Sequence, residues 1–388
     1  MNRHINGLLL LMVILLVSVT AFAATDTTEI GDIVRADLFI RDPFIVPDVE
    51  TQTYYLYKSD RITLKNGQRR PGVVAYTSKD LQTWRGPYPV FHYPNGLWAN
   101  GSIWAPEVHK YQGKYYLFAT FNSDKPIVLP EGRPKSGLRA TQICVAESPL
   151  GPFRIFENTP HTPTDWLSLD GTLWVENGIP YMIFCHEWVQ ITDGTMDLVR
   201  LKPDLSAPEG KPQTLFKATD AQWVKTLRGK HEGTVTDGCF LHRTKSDTLL
   251  MIWSSFGDHK ALSENSVVGP RASVSSSGKD GEAGDIEYIV DGAGRRPDGK
   301  QAARSQIEFS DTAKYTVGMA RSVSGKVTGP WEQIPKPLVA RDGGHGMLFQ
   351  SFDGRLIMPI HQPNSGPIRM HLYELEDAGD TLRVKGEL

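Results

Sequence analysis

Short apolar and aromatic runs recur along the chain, and each follows a segment that holds a polar residue and precedes a turn-rich segment. The runs are YYLY, YYLF, YMIF, LMIW and LIM, at residues 54–57, 115–118, 181–184, 250–253 and 356–358. Aromatic and branched aliphatic residues bounded by Gly, Pro and Asp are typical of buried strands. No regular amphipathic helical pattern separates the runs, so the sequence disfavours a parallel α/β fold.

The polar segments recur at a nearly constant period. They read RDPFI, WAPEV, LDGTL, HEGTV and GGHGM, with the polar residues Asp42, Glu107, Asp170, Glu232 and His345. The first four of these residues are 62–65 positions apart. The last interval, from Glu232 to His345, is 113 positions long, which is roughly 50 more than one period. We assign the surplus to a surface insertion formed by the Gly-, Ser- and charge-rich residues 258–313. A fixed period of this kind indicates a repeat architecture.

Five units of about 63 residues, each with a few short strands, predict an all-β fold, a five-bladed β-propeller. Closing the ring covers the faces and edges that a small sheet cannot bury alone. We expect one catalytic domain over residues 24–388, with residues 258–313 forming a long loop inserted in the fourth blade.

The N-terminus reads as a secretory signal peptide over residues 1–23. Arg3 and His4 precede an apolar run at residues 8–19, and the small-residue pattern AFA follows at residues 21–23. An uncleaved membrane anchor is the alternative, but the run is short for a membrane span. We therefore expect a secreted or periplasmic protein with no stable membrane insertion.

Composition narrows the classes of partner. The chain of 388 residues has 42 Lys and Arg against 44 Asp and Glu, so its formal charge is −2. This balance provides no electrostatic footprint for nucleic acid. Three cysteines, all in apolar strand-like runs, exclude a disulfide framework and are expected to be buried free thiols. The sequence makes no prediction about oligomeric state.

The repeat predicts a shared site. The first strand of each propeller blade lines the central axis, so the five polar residues of the repeat are expected to meet near one end of it. Carboxylates held close together push their pKa values apart, which prepares one as an acid and another as a base. Cleavage of a glycosidic bond needs such a pair.

The five motifs, in this order and spacing, resemble those of the family 43 glycoside hydrolases, over about residues 36–375 apart from the insertion. The resemblance implies a five-bladed propeller and inverting hydrolysis. It also implies that Asp42 is the general base, that Glu232 is the general acid, and that Asp170 orients this acid and raises its pKa. His345 matches a channel histidine that sits at a central calcium in many members, so we expect Ca²⁺ there through waters and no other cofactor.

Further substrate contacts are predicted around these motifs. Trp104 and Trp188 flank them and are expected to stack on the apolar faces of sugars. Glu107 stands where the family often has Asp, and we expect it in the floor of the substrate pocket. Arg369 follows the inner strands of the fifth unit and is expected to contact the acids or the sugar.

The predicted function is an exported inverting glycoside hydrolase that acts on plant oligo- or polysaccharides containing arabinose or xylose. An α-L-arabinofuranosidase is the first choice, and β-xylosidase and endo-arabinanase activities remain open. A non-catalytic carbohydrate-binding propeller is an alternative, but a binder does not require three placed acids. A retaining fructan-acting enzyme is another, but its RDP motif follows an N-terminal nucleophile, whereas RDP comes first here.

Overall fold

A computed structural model of the protein describes residues 30–133, 135–228, 232–258 and 313–388. The predicted signal peptide and nearly all of the predicted insertion at 258–313 lie outside these residues. No helix within the described ranges is long and apolar enough to cross a membrane.

The structure is all-β and forms the five-bladed propeller that the repeat predicts. The strands of the first sheet are β1 (Gly31–Val34), β2 (Phe44–Asp48), β3 (Thr53–Thr63), β4 (Arg69–Ser78) and β5 (Thr83–His92). Those of the second are β6 (Ile103–Tyr111), β7 (Lys114–Pro126), β8 (Gly137–Ala146) and β9 (Arg154–Ile155). Those of the third are β10 (Ser168–Glu176), β11 (Ile179–His186), β12 (Thr195–Leu201) and β13 (Pro208–Lys217). Those of the fourth are β14 (Asp237–Arg243), β15 (Leu249–Asp258), β16 (Ala313–Ser322) and β17 (Trp331–Gln333). Those of the fifth are β18 (Phe349–Gln350), β19 (Leu356–Gln362), β20 (Arg369–Asp377) and β21 (Leu382–Glu387).

Each sheet is an antiparallel meander of strands that follow one another in sequence, and β1 adds a fifth strand outside β5 in the first sheet. A single turn of α-helix, α1 (Trp188–Ile191), follows β11. The apolar runs of the sequence form the second strand of each sheet, counted outwards from the central axis, and this strand is buried on both faces. Residues 115–121 of β7 illustrate this, since all seven are buried.

Apolar clusters lie between neighbouring sheets and hold the ring together. One cluster joins the first two sheets through Tyr57, Val73 and Phe121, and another joins the third and fourth through Met196 and Trp253. Burying each of these large side chains contributes roughly 1.5–3 kcal/mol. The three cysteines are free and buried, as predicted.

The ring closes where the first sheet meets the fifth. Leu56 and Trp84 of the first sheet share a cluster with Ile357 and Leu372 of the fifth. The Tyr54 ring stacks on Phe352 with ring centroids 4.1 Å apart. Among the described strands none is exchanged between these two sheets, so side chains and a few hydrogen bonds make this seam.

One end of the axis collects the connections that matter for a site. The innermost strand of each sheet begins at the end where the next strand outwards turns into the one after it, because successive strands are antiparallel. In the first sheet these three strands are β2, β3 and β4. Asp258 and Ala313, which flank the predicted insertion, are paired across β15 and β16 at that same end. The two residues that flank the predicted insertion therefore lie at the end of the ring where the axial residues lie.

Candidate active site

Five equivalent backbone positions lead into the inner strands. They all have left-handed φ values, between 41° and 56°, and they are Asp42, Ala105, Asp170, Gly238 and His345. In the second, third and fourth sheets the pairing register shifts across this position. The sequence repeat had aligned Glu107 and Glu232 with Asp42, but Ala105 and Gly238 occupy those places. The structure therefore corrects the alignment in two of the five units.

His345 is the centre of a cluster of carboxylates. Its Nδ1 lies 3.4 Å from Oδ1 of Asp42, 3.7 Å from Oδ2 of Asp170 and 3.6 Å from Oδ1 of Asp237. The four side chains come from the first, third, fourth and fifth sheets. The structure thus brings Asp42, Asp170 and His345 together, and it adds an acid that the sequence analysis did not single out.

Asp42 is held as a carboxylate. Burial alone would raise its pKa, but the charge of His345, a hydrogen bond and charge from His361, and the Arg41 guanidinium together lower the pKa well below the usual range. His361 Nδ1 lies 3.1 Å from Oδ1 of Asp42. An ionised carboxylate at the axial mouth is suited to accept a proton from water.

The pKa of Asp170 is shifted in the opposite direction from that of Asp42. Burial raises its pKa well above the usual range, and so do the charge of Asp237, a hydrogen bond with Asp237 and the charge of Asp42. The Gly238 N–H donates to its Oδ2 at 3.1 Å and opposes this shift. Asp170 is only 3% exposed. Asp170 is therefore held protonated, as expected of a buried carboxyl group with other carboxylates close to it.

Asp237 is the acid that sequence reasoning missed. It opens β14, its Oδ2 accepts a 2.5 Å hydrogen bond from the Tyr315 hydroxyl, and its side chain is 26% exposed. A signal for it existed, because Asp237-Gly238 repeats the Asp-Gly pair of the third unit, Asp170-Gly171. The nearby HEGTV segment drew attention to Glu232 instead.

Glu232 lies in a separate cavity that is not lined by His345 or by the carboxylates around it. Its side chain is exposed in a cavity of about 390 Å³ that also holds Arg133, Asp193 and Thr219. Arg133 donates to its backbone carbonyl at 2.8 Å. Within the described ranges, no hydrogen bond or ion pair joins its side chain to Asp170 or His345. The predicted contact between Glu232 and Asp170 is thus not formed in this structure.

Trp104 lies where a sugar-stacking residue is expected. It lines a cavity of about 410 Å³ together with Asp42. The guanidinium carbon of Arg139 lies 5.0 Å from the centre of its ring. Arg139 in turn forms a buried ion pair with Glu187, which fixes the guanidinium against the tryptophan.

The other predicted contacts are placed differently. Trp188 is 6% exposed and packs in an apolar cluster with Leu167, so it offers little ring surface to a sugar. Glu107 is buried, and its carboxylate lies 2.9 Å from Nε2 of His109. Arg369 donates to the carbonyl of Ala36 at 2.7 Å across the seam between the first and fifth sheets.

The cluster holds three side chains of the types that ligate cations. Ligand atoms of Asp170, Asp237 and His345 all lie within 4.8 Å of one another. Two carboxylates and one imidazole supply fewer oxygens than the six to eight that Ca²⁺ takes, so most of its shell would be water. The donors therefore fit calcium only in the water-rich manner that the resemblance implies.

The family model of the glycosyl hydrolases family 43 matches residues 36–279, more than half of the chain. With the propeller and its axial acids, this match shows that the chain belongs to glycoside hydrolase family 43. It is an inverting glycoside hydrolase.

Three solved structures of arabinan-cleaving enzymes are similar to this chain. The endo-arabinase from Bacteroides thetaiotaomicron VPI-5482 is 32% identical with a TM-score of 0.67, covering 89% of this chain and 96% of that one. Two others share the fold at 15% identity. The exo-1,5-α-L-arabinanase from a bovine ruminal metagenomic library has a TM-score of 0.54 and coverages of 91% and 98%. The Cellvibrio cellulosa α-L-arabinanase in complex with arabinohexaose has 0.51, 90% and 96%. A search of curated proteins gives no match.

Proposed function

We propose that this protein hydrolyses α-L-arabinofuranosyl linkages in arabinan or its oligosaccharides, with Asp42 as the general base. The likeness to an endo-arabinase at 32% identity supports the choice of arabinan over xylan. The observation that carries the mechanism is the convergence of Asp42, Asp170 and Asp237 on one nitrogen of His345.

The pKa directions support distinct roles for these acids. Asp42 stays ionised and takes a proton from the attacking water. Asp170 is held protonated next to Asp237, and Asp237 is the more exposed of the two. We therefore assign delivery of the proton to the leaving oxygen to Asp237, with Asp170 as the residue that positions it. Glu232 stays the acid predicted from its motif, and the geometry favours Asp237.

The separation of base and acid is compatible with inversion. The nearest oxygens of Asp42 and Asp237 are at most about 7 Å apart, because each lies within 3.6 Å of the same nitrogen. Inverting glycosidases hold their two carboxyl groups roughly 6.5–9.5 Å apart to admit a water. The bound places this pair at or below the short end of that window, so inversion rests on membership of the family and not on this distance.

Substrates with different leaving groups test the assignment. A good leaving group such as 4-nitrophenol departs without a proton, whereas a sugar alcohol needs one. We expect Asp237→Asn to lose about 100-fold or more in kcat on arabino-oligosaccharides and much less on the 4-nitrophenyl arabinofuranoside. Asp42→Asn should lose activity on both substrates.

Glu232→Gln is the matched comparison for the acid. If it shows the leaving-group dependence and Asp237→Asn does not, the acid is Glu232. If Asp42→Asn keeps full turnover while arabinan still binds, the catalytic proposal fails and the binding-module alternative gains support.

The mode of cleavage is tested by the products of linear 1,5-arabinan. The sequence favours release of terminal arabinofuranose, and the 32% likeness favours cleavage of internal linkages. We propose internal cleavage, which gives a ladder of oligosaccharides early in the reaction. Arabinose as the sole early product would instead establish the arabinofuranosidase.

Export is part of the proposal, and it rests on residues 1–23. Expression with the native N-terminus should yield a mature chain that starts near Ala24, as read by intact-mass spectrometry. A chain that keeps its first residues would contradict export by this signal.

The predicted Ca²⁺ at His345 is likewise a proposal. Dialysis against EGTA should lower the melting temperature by several degrees, and added Ca²⁺ but not Mg²⁺ should restore it, because Mg²⁺ demands tighter octahedral geometry. His345→Gln should abolish this calcium response. An unchanged melting temperature in EGTA would argue against the ion.

A further inference from the structure

A row of basic side chains extends the cavity that holds Asp42 and Trp104. The cavity continues along the hairpin of β3 and β4, where its lining includes Lys58, Arg61 and Arg69. Phe39 also lines this part and is 50% exposed. We call Phe39, Lys58, Arg61 and Arg69 the basic shelf.

Strand register places the two arginines on one face of the hairpin. Arg61 pairs with Pro71 and Thr63 pairs with Arg69, so Arg61 and Arg69 are diagonal neighbours on the same side. That side also carries Tyr57 and Val73, which pack between the first and second sheets. The arginines therefore face the second sheet, which supplies Trp104 to the cavity.

The positive charge of the basic shelf exceeds the one negative charge of Asp60, the carboxylate beside it in the cavity lining. Lys58 Nζ lies 3.2 Å from Oδ2 of Asp60, and Asp60 also accepts the backbone N–H of Arg61. Among the described residues, the Arg61 guanidinium donates only to the carbonyl of Arg69, at 3.3 Å. The Arg69 guanidinium has no ion pair or hydrogen bond within the described ranges. Two guanidinium groups thus remain for an anion.

Arabinose carries no charge, so a neutral arabinan chain has no use for this excess. Guanidinium groups bind planar carboxylates through two parallel hydrogen bonds. Phe39, an exposed aromatic ring that lines the same cavity, suits the apolar face of a sugar ring. Together these features fit a sugar that bears a carboxylate.

We propose that the basic shelf binds a uronic acid residue of the substrate, next to the arabinose units cleaved at Asp42. The shelf would select arabinan attached to an acidic polysaccharide over free neutral arabinan. This inference rests on the proposed function, because the shelf and Asp42 line one cavity.

The test compares one substrate in two forms. Arabinan-bearing pectic fragments are used as isolated and after chemical reduction of their uronic carboxyl groups to alcohols. At low ionic strength the wild-type enzyme should show kcat/KM about tenfold higher for the acidic form, the scale of one charge-assisted contact. The preference should shrink as salt rises towards 0.5 M, since exposed charges are screened.

Variants locate the effect. Arg61→Gln with Arg69→Gln should bring the ratio of kcat/KM for the two forms close to one. Arg383→Gln, an exposed arginine on β21, is the matched control and should leave the ratio unchanged. The salt dependence of the wild-type ratio needs no variant, so it decides the matter even if the double variant folds poorly.

The outcomes separate this inference from the proposed function. Equal hydrolysis of both forms by the wild-type enzyme overturns the shelf and leaves the arabinanase intact. If neither form is cleaved, calorimetry with trigalacturonate decides: binding that the double variant loses supports the shelf alone, and no binding overturns it.

Discussion

At the scale of single residues, the site depends on side chains held in unusual backbone positions. Asp42, Asp170 and His345 all have positive φ, which ordinarily costs a residue with a side chain roughly 1–3 kcal/mol. Packing between sheets offsets this strain. The result is that three polar side chains leave the backbone at the same point of the repeat and meet at Nδ1 of His345.

His361 is expected to tune the base. Its hydrogen bond and charge help to lower the pKa of Asp42, so His361→Phe should raise that pKa. Because the base works when ionised, the acid limb of kcat/KM should move to higher pH while activity at the optimum falls less. His92→Phe, on an exposed part of β5, is the control. An acid limb that stays in place would show that His361 has no such effect.

The sequence identified some of these residues and missed others for a definite reason. Asp42, Asp170 and His345 were found because each stands in a short motif at a constant period. Asp237 was missed because the motif before it, HEGTV, fits the same period within a few residues. Only the strand register, with its shift after Asp237, shows which residue enters the inner strand.

At the scale of elements, the entry into β14 is a tight point. A Cβ built on Gly238 would lie 2.7 Å from Cγ of His345, and the φ of Gly238 is +41°. Gly238→Ala should therefore displace the His345 ring, lower kcat at least about tenfold and destabilise the fold by roughly 1–3 kcal/mol. Gly386→Ala, which meets nothing within 4 Å, is the control in activity and urea-unfolding assays. Normal kcat in Gly238→Ala would mean that the ring position is unimportant.

The segment between β9 and β10 is tied down by a neutral histidine. Nδ1 of His161 accepts the N–H of Ile143 on β8 at 3.2 Å. Burial lowers the pKa of His161 to about 4, from 6.5. The unfolded chain therefore binds a proton between pH 6.5 and about 4 that the folded chain does not. This group's contribution to stability is present above pH 6.5 and is lost as the pH falls to about 4.

His161→Gln should flatten the pH dependence of the free energy of unfolding in that window, by up to about 3 kcal/mol. Urea unfolding at pH 7 and at pH 4.5 measures it. An identical slope in the variant and the parent would place the acid sensitivity elsewhere.

The elements themselves were predictable in proportion to their burial. Strands such as β7 and β15 are buried on both faces and read as continuous apolar runs. The outer strands β9 and β17 are two and three residues long, too short to leave a pattern. The sequence therefore fixes the number and spacing of the sheets but not their outer edges.

At the scale of the whole molecule, the seam between the first and fifth sheets is where the ring is closed. Arg369 donates to the carbonyl of Ala36 there, and Arg35 donates to that of Leu388. Arg369→Met should lower stability by roughly 1 kcal/mol, a shift of a few degrees in melting temperature, because a hydrogen bond from a charged donor is lost. KM should not change, whereas a role in sugar binding would raise it. Arg383→Met is the matched control.

The ring was predictable from the period, but its closure was not. Closure depends on contacts such as Tyr54 with Phe352, which lie almost 300 positions apart and leave no local signal. The same limit explains why Arg369 was expected near the acids. Its place at the seam follows from the approach of Ala36, which only the closed ring provides.

Four of the five joints between neighbouring blades are reinforced by continuous chain, and the remaining one relies on non-covalent contacts alone. Asp42 belongs to the first blade, and its two imidazole neighbours, His345 and His361, belong to the fifth, on the other side of that weakest joint. Moderate heating should separate the first blade from the fifth before any of the sheets unfolds. Turnover should then vanish several degrees below the loss of the far-ultraviolet circular dichroism signal, and a disulfide engineered across the joint should make the two transitions coincide.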